Sequence, residues 1–138
     1  MNLEKLKQEL IDDEGLRLKP YKDTKGLTTI AVGRNLDGHG LTVEECMYLL
    51  KNDIDRNWWD LHSIFDDIVK YPEDVQHVLL NMRHQLGYGG FRGFKNMIKA
   101  VKSENWKLAA SEIRNSAMWR DQYTHARAER NAKRMEKA

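Results

Sequence analysis

The sequence predicts an α+β protein in which helices dominate and a small antiparallel sheet lies near the N-terminus. Three observations predict this class. Apolar residues recur at three- and four-residue steps along most of residues 42–138, which is typical of amphipathic helices. Residues 16–37 instead combine β-branched side chains with glycine-containing turn signals. Finally, 138 residues with 41% hydrophobic and 32% charged side chains fit one globular domain.

The N-terminal third contains a predicted helix followed by predicted strands. The helix covers residues 3–14 and ends at Gly15, because four apolar side chains share one face: Leu3, Leu6, Leu10 and Ile11. Two or three short antiparallel strands are predicted between Leu16 and Asp37, with turns at residues 25–26 and 37–38. Pro20 and Pro72 fall at a predicted strand edge and a predicted helix boundary.

A long helix is predicted to follow. Thr42 and Glu45 form a capping-box pattern ahead of an apolar stripe at helical spacing: Cys46, Leu50, Ile54, Trp58, Leu61, Phe65 and Ile68. The stripe predicts a helix over about residues 43–69, roughly 26 residues and about 40 Å long. We expect it to connect a small lobe, about residues 13–52, to a larger helical lobe, about residues 70–138, with a groove between them. The first helix is expected to pack with the larger lobe.

Further helices are predicted in the larger lobe. One runs along Val75, Val78, Leu79, Met82 and Leu86 and ends at the glycines of residues 87–90. A second is predicted over residues 91–101, a third is capped by Ser103, and a last one follows Thr124. The adjacent Trp58 and Trp59 cannot both face the core of one helix, so one of them is a candidate for the groove.

Composition excludes several classes of protein. The single cysteine, Cys46, cannot form an internal disulfide; it lies on the apolar stripe and is expected to be buried. No apolar run approaches the ~18 residues that span a membrane, and the first residues lack the apolar segment of a secretory signal. We therefore expect cytoplasmic synthesis without stable membrane insertion. No His and Cys spacing is typical of a metal site, so no metal or cofactor is expected.

The formal net charge of +2 hides two opposite halves. Residues 1–75 hold 10 Lys and Arg against 16 Asp and Glu, whereas residues 76–138 hold 13 against 5. The basic half suits an anionic partner, such as nucleic acid, a membrane surface or a cell-wall polymer, but a solvated helical surface explains the charge equally well. The basic residues of the last helix are candidates for contact with anionic envelope polymers or lipid, with a solvated helix face as the alternative: Arg127, Arg130, Arg134 and Lys137.

Acidic residues at the end of the first helix are the most informative local feature. Asp12, Asp13 and Glu14 lie where the helix dipole favours cations, and such local conflicts are expected at functional sites. A frayed, solvated helix end is the alternative. Asp23 follows at a turn between predicted strands, where it is also a typical Asx-turn residue, and Thr29 lies in the next strand. Two carboxylates from different elements can divide the acid and base roles of glycoside cleavage.

Residues 13–36 closely resemble the active-site segment of the T-even phage lysozyme family, glycoside hydrolase family 24; the run reads DEGLRLKPYKDTKGLTTIAVGRNL. The similarity continues in the family's order through GLTVEEC at 40–46, NMRHQLG at 81–87, GF at 93–94, W-x-x-Q at 119–122 and RAER at 127–130. It covers nearly the whole chain. The resemblance implies a lysozyme-like α+β fold and hydrolysis of the β-1,4 bond between N-acetylmuramic acid and N-acetylglucosamine in peptidoglycan.

The resemblance also implies residue roles. Glu14 matches the general acid, Asp23 the carboxylate that activates water or stabilises charge at the sugar carbon, and Thr29 the hydroxyl that orients the water. Most descriptions of the family make it inverting, which calls for about 6.5–9.5 Å between the carboxyl groups. Asn35 and His84 are the implied substrate-binding residues, although His84 is equally explained as a surface imidazole.

The resemblance also implies three residues that support the catalytic site, and it shows four positions at which this sequence differs from the family's usual residues. Arg127 matches an arginine beside the acid, where it would favour the ionised form of Glu14. Arg34 occupies a position that often carries histidine, and we expect it to pair with Asp53. Residues that differ from the family's usual apolar or polar groups weaken the case for its groove contacts: Arg83, His84, Met97 and Glu112.

The leading hypothesis is an endolysin that cleaves peptidoglycan glycan strands after the host's inner membrane has been permeabilised. A monomer that binds no nucleic acid is expected. The runner-up is a binding protein with the same fold that grips glycan or nucleic acid without cleaving it. The complete set of Glu14, Asp23 and Thr29 disfavours this runner-up, and no nucleic-acid-binding motif is present.

Overall fold

The computed structural model describes all 138 residues, which divide into two units, residues 1–49 and residues 50–138. The first unit contains helix α1 (Leu3–Glu14) and the strands β1 (Arg17–Lys22), β2 (Thr28–Ala31) and β3 (Arg34–Asn35). It also contains the start of helix α2 (Val43–Ile64). The α+β class and the helix over residues 3–14 are confirmed. Gly15 ends that helix with φ of 81° and an N–H bond to the Ile11 carbonyl.

The strands form one antiparallel sheet in the order β1-β2-β3. Thr29 of the central strand lies opposite Tyr21 on one side and Asn35 on the other. Pro20 lies in an edge strand, as predicted, where a missing N–H costs the sheet least. The predicted turn at residues 25–26 joins β1 to β2, whereas the turn at residues 37–38 follows β3.

Helix α2 begins as predicted and ends earlier. The capping box is formed, because the N–H of Glu45 donates to Thr42 Oγ1 at 3.1 Å and the N–H of Thr42 donates to Glu45 Oε1 at 2.9 Å. The helix has 22 residues and ends at Ile64, since the chain turns at residues 66–67 into a 3-10 turn (Ile68–Lys70). Asp66 and Asp67 form that turn, and acidic residues are unfavourable at the negative C-terminal end of a helix dipole.

The prediction that Cys46 is buried is wrong, because the cysteine is exposed. Leu50 and Ile54, further along the same stripe, are also exposed, and α2 buries side chains only from Asn57 onward. The stripe enters a core only in its C-terminal part. Trp58 packs against that core, while Trp59 is exposed.

Five helices complete the second unit: α3 (Glu73–Arg92), α4 (Lys95–Lys102), α5 (Trp106–Arg114), α6 (Ala117–Arg120) and α7 (His125–Glu136). Helix α3 breaks at Gly87, whose φ of 76° and ψ of 167° are not helical, which agrees with the predicted end at the glycines. The helix predicted from residue 91 begins instead at Lys95, after Gly93. Asn105, not Ser103, caps α5, since its side chain accepts the Leu108 N–H at 3.1 Å. The helix after Thr124 is confirmed.

The apolar core belongs to the second unit, since every buried apolar side chain lies between residues 61 and 135. Phe65 contacts Tyr71 and Phe91 edge to face, with ring centroids 6.1 and 6.3 Å apart. Alanines let α5 and α7 lie close together: Ala109, Ala110, Ala128 and Ala132. No helix combines the length and hydropathy that crossing a bilayer requires.

An arginine joins the same two helices at the surface. Arg114 of α5 pairs with Glu129 and Glu136 of α7, each at 2.7 Å. These hydrogen bonds lower the pKa of both carboxyl groups. The pairs add polar contacts at the rim of the core without entering it.

Candidate active site

Glu14 is the last residue of α1, and its side chain lies against the turn that joins β2 to β3. A β-carbon built on Gly33 of that turn would lie 2.6 Å from Glu14 Oε2 and 2.9 Å from its Cδ. Only a residue without a side chain leaves this space, and the φ of 67° at Gly33 also favours glycine. The Glu14 carboxylate is exposed and available to a ligand. The turn therefore fixes one side of the position that this carboxylate occupies.

Asp23 begins the turn at the other end of β2. Its Oδ1 accepts the N–H groups of Lys25 at 2.8 Å and Leu27 at 2.9 Å, so Asp23 is the Asx-turn residue that its sequence context indicated. Those bonds hold the carboxylate in one orientation while Oδ2 accepts no hydrogen bond from the protein. Asp23 can therefore stabilise the turn through Oδ1 and still offer Oδ2 to a ligand or a water molecule.

Thr29 lies in β2, the strand that connects the two turns, and is 4% exposed. Its Oγ1 donates to the Leu27 carbonyl at 3.0 Å. With its only hydrogen committed, the hydroxyl oxygen can act only as an acceptor toward a water molecule. Tyr21 and Asn35, opposite Thr29 on the neighbouring strands, share its face of the sheet.

Asn35 has a local structural task as well. Its Oδ1 accepts the N–H of Gly38 at 3.0 Å, which stabilises the turn after β3. A β-carbon at Gly38 would lie 2.7 Å from Asn35 Nδ2, so the glycine permits this arrangement. Nδ2 keeps its donors for other partners. A substrate contact at Asn35 stays a prediction.

Arg34 forms its ion pair with a different carboxylate from the one predicted. Its Nη1 and Nη2 donate to Oε1 and Oε2 of Glu45 at 2.8 Å each, and Nη1 also donates to the Gly40 carbonyl at 3.1 Å. Asp53, the predicted partner, pairs with Arg56 at 2.7 Å. Glu45 belongs to the first turn of α2, beside the loop that Arg34 reaches, whereas Asp53 lies about two turns further along.

The bidentate pair changes the protonation of Glu45. Hydrogen bonds from Arg34 and from the Thr42 backbone lower the pKa of Glu45 to about 2. The same carboxylate therefore closes the capping box of α2 and holds β3 through Arg34. This pair anchors the end of the hairpin whose turn contacts Glu14.

Arg127 and His84 belong to the second unit. The Arg127 Nε donates to Asn81 Oδ1 at 2.9 Å and its Nη2 to the Asn81 carbonyl at 3.1 Å. His84 is exposed, and its Nδ1 lies 3.3 Å from Asn57 Nδ2. Both residues line a cavity of about 410 Å³. Their roles toward Glu14 and toward a sugar stay predictions.

Arg83 has a structural partner that the sequence did not indicate. It donates to Asp60 Oδ2 at 2.6 Å, joins α2 to α3 and is 12% exposed. The other residue that the sequence did not indicate is Gly33, which lies against Glu14. A glycine between two predicted strands was the available signal for it.

This chain is similar to several known proteins. The phage lysozyme family model matches residues 12–134. The pre-baseplate central spike protein Gp5 of Enterobacteria phage T4 is 32% identical over an alignment 146 residues long. The alignment covers 86% of this chain and 25% of that protein. The SAR-endolysin of Bacteriophage PS119 is 26% identical, covering 86% of this chain and 74% of that protein. A probable T4-type lysozyme 1 of Dictyostelium discoideum is 26% identical, covering 85% of each chain.

The fold and these matches identify the chain as a glycoside hydrolase. The chain belongs to the phage lysozyme family, whose match spans all but the first 11 and last 4 residues. It spans a quarter of the length of the spike protein and 74% and 85% of the other two relatives.

Proposed function

We propose that this protein is an endolysin-type muramidase. It hydrolyses the β-1,4 bond between N-acetylmuramic acid and N-acetylglucosamine in bacterial peptidoglycan, and so lyses the host cell. The observation that supports the proposal is that Glu14 lies against the turn after strand β2 and Asp23 begins the turn before it, while the buried Thr29 belongs to the strand itself. Membership of the phage lysozyme family supports the same reaction.

Glu14 is the general acid of this proposal. Its exposed carboxyl protonates the glycosidic oxygen as the bond to the anomeric carbon breaks. The contact with the turn at Gly33 supports this role, because a carboxyl limited on one side by the backbone has less freedom to lose when the reaction begins.

Asp23 is the general base and Thr29 the residue that positions the water. Oδ1 of Asp23 is held by two backbone N–H groups, which leaves Oδ2 to take one proton of the water. Thr29 Oγ1 accepts the other hydrogen, since its own is given to Leu27. A water held by both hydrogens directs its lone pair at the anomeric carbon.

Inversion at that carbon is part of the proposal. Strand β2 has four residues and is about 10 Å long, and Glu14 and Asp23 lie at the turns that follow and precede it, which supports a wide rather than a narrow separation of the two carboxyl groups. Inverting glycosidases separate their carboxyl groups by roughly 6.5–9.5 Å, whereas retaining ones leave about 5 Å. NMR of the first anomer released from a soluble fragment would test the proposal; an anomer with the configuration of the substrate would contradict it.

Glu14→Gln tests the reaction itself. The amide cannot donate an acidic proton, so we expect clearing of permeabilised Gram-negative cells to fall by at least about 100-fold. Circular dichroism should be unchanged, because the side chain is exposed and forms no hydrogen bond within the protein. Asp13→Asn, next to it on the exposed end of α1, is the matched control and should retain activity. Clearing by Glu14→Gln at the normal rate would remove Glu14 from its role.

A further inference from the structure

A second chemically distinctive surface lies on the second unit. We call it the tryptophan patch and define it by four residues of α2 and α3: Trp59, Ser63, Tyr88 and Arg92. Trp59 is 72% exposed. A single exposed apolar residue needs no explanation, but one helical turn from Trp59 the Ser63 hydroxyl contacts that of Tyr88, whose ring lies against Arg92. Aromatic surface combined with a few polar groups is typical of ligand sites.

Contacts within the unit hold the patch in place. Ser63 lies one helical turn after Trp59, so the two side chains share a face of α2. Ser63 Oγ lies 3.2 Å from the Tyr88 hydroxyl, which joins this face to α3. The His62 ring lies 5.7 Å from the Trp59 ring and is tilted by 39° to it. The indole therefore lies beside the His62 ring and is otherwise largely exposed to solvent.

The patch also presents one available cation. Arg83 and Arg92 lie 5.7 and 5.3 Å from the centre of the Tyr88 ring. Arg83 is committed to Asp60 at 2.6 Å, whereas Arg92 is exposed and has no carboxylate partner. Arg92 is thus held beside the aromatic surface with its guanidinium free to bind an anion.

We propose that the tryptophan patch binds a peptidoglycan glycan strand outside the catalytic site. The electron-rich face of Trp59 packs against the C–H face of a sugar ring, and the hydroxyls of Ser63 and Tyr88 bond its polar groups. Arg92 pairs with a carboxylate of the peptide stems. The inference rests on the proposed function for the identity of the polymer. It adds a second attachment, which raises the effective concentration of enzyme on an insoluble substrate.

The charge of the patch favours glycan over nucleic acid. Bases also stack on exposed aromatic rings, but single-stranded nucleic acid is bound in grooves with many cations along the phosphates. Here one arginine is available and the other is neutralised by Asp60. Single-stranded RNA is therefore the competing ligand in the test.

Binding to purified sacculi tests the proposal on the full chain, with Glu14→Gln present throughout to prevent digestion. Adding Trp59→Ala should weaken sacculus binding about tenfold, as expected for an aromatic anchor. Trp59→Tyr should keep most of the affinity because it keeps a stacking face. Tyr123→Ala is the matched control, since Tyr123 is 87% exposed outside the patch, and it should change the affinity less than twofold.

Catalysis provides an independent measurement. With Glu14 restored, Trp59→Ala should hydrolyse a soluble fragment of a few sugars at the normal rate. Sacculus affinity unaffected by Trp59→Ala would overturn the proposal, as would a loss confined to binding of single-stranded RNA. Binding of sacculi that depends on Trp59, by a chain that cleaves nothing, would overturn the proposed reaction and still support the patch.

Discussion

At the scale of single residues, Gly33 has the clearest consequence for chemistry. It is one of two left-handed glycines in the hairpins, together with Gly26. The two differ in what a side chain would meet: Gly26 has no atom within 4 Å, whereas Gly33 has the Glu14 carboxylate at 2.6 Å. Backbone strain and displacement of Glu14 can therefore be separated by experiment.

Gly33→Ala should reduce sacculus hydrolysis by about 100-fold, because a shift of about 1 Å in a catalytic group can cost that much. Gly26→Ala should have the same backbone penalty of about 1–2 kcal/mol and keep its activity. Urea unfolding and initial hydrolysis rates measure the two effects. Equal activity losses in both variants would assign the effect to strain alone.

At the scale of elements, the bidentate pair of Arg34 and Glu45 ties β3 to the start of α2. Its stabilising effect depends on pH because the pKa of Glu45 is lowered to about 2 from its ordinary value of 4.5. The unfolded state binds the proton more readily than the folded state. The pair therefore stabilises the fold above about pH 4.5, and this contribution is lost as the pH falls toward 2.

Glu45→Gln removes the charge and keeps the oxygen that accepts the Thr42 N–H. We expect a lower melting temperature than the parent at pH 7 and a much smaller difference near pH 2. Glu44→Gln, an exposed neighbour without an ion pair, serves as control. Thermal melts followed by circular dichroism at both pH values measure the difference in melting temperature. A difference that is the same at both pH values would contradict its assignment to the ion pair of Arg34 and Glu45.

The cap of α5 is a second prediction about an element. Asn105→Ala removes the acceptor for the Leu108 N–H and should cost about 1 kcal/mol of unfolding free energy. Ser103→Ala should cost much less, since Ser103 is exposed and its side chain caps no helix. Urea unfolding of both variants decides between the two caps.

At the scale of the whole molecule, the charge is unevenly distributed along the chain, with 13 Lys and Arg against 5 Asp and Glu in residues 76–138. Several cations there have no carboxylate partner, among them Lys99 and Lys102 of α4. Peptidoglycan carries the carboxylates of its peptide stems. Long-range attraction to this polymer should therefore add to any specific contact.

Salt titration tests this attraction. Sacculus binding by the Glu14→Gln protein should weaken steadily as ionic strength rises from 0.01 to about 0.15 M, over which the screening length falls from about 30 to 8 Å. Chitin, which has the same type of linkage without carboxylates, is the matched control and should show little dependence. A sacculus affinity that does not change with ionic strength would contradict the electrostatic contribution.

The sequence by itself determined the helical periods, the hairpin turn, the capping box and the position of Glu14 at a helix end. These features depend on residues a few positions apart, where spacing and backbone preference decide the outcome. The tertiary structure alone decided that Arg34 pairs with Glu45, that Cys46 and Trp59 are exposed, and that Gly33 lies against Glu14. The spacing of apolar residues shows which side chains share a helix face. Which part of that face is buried depends on how elements that are distant in the sequence pack together, and local spacing does not contain this information.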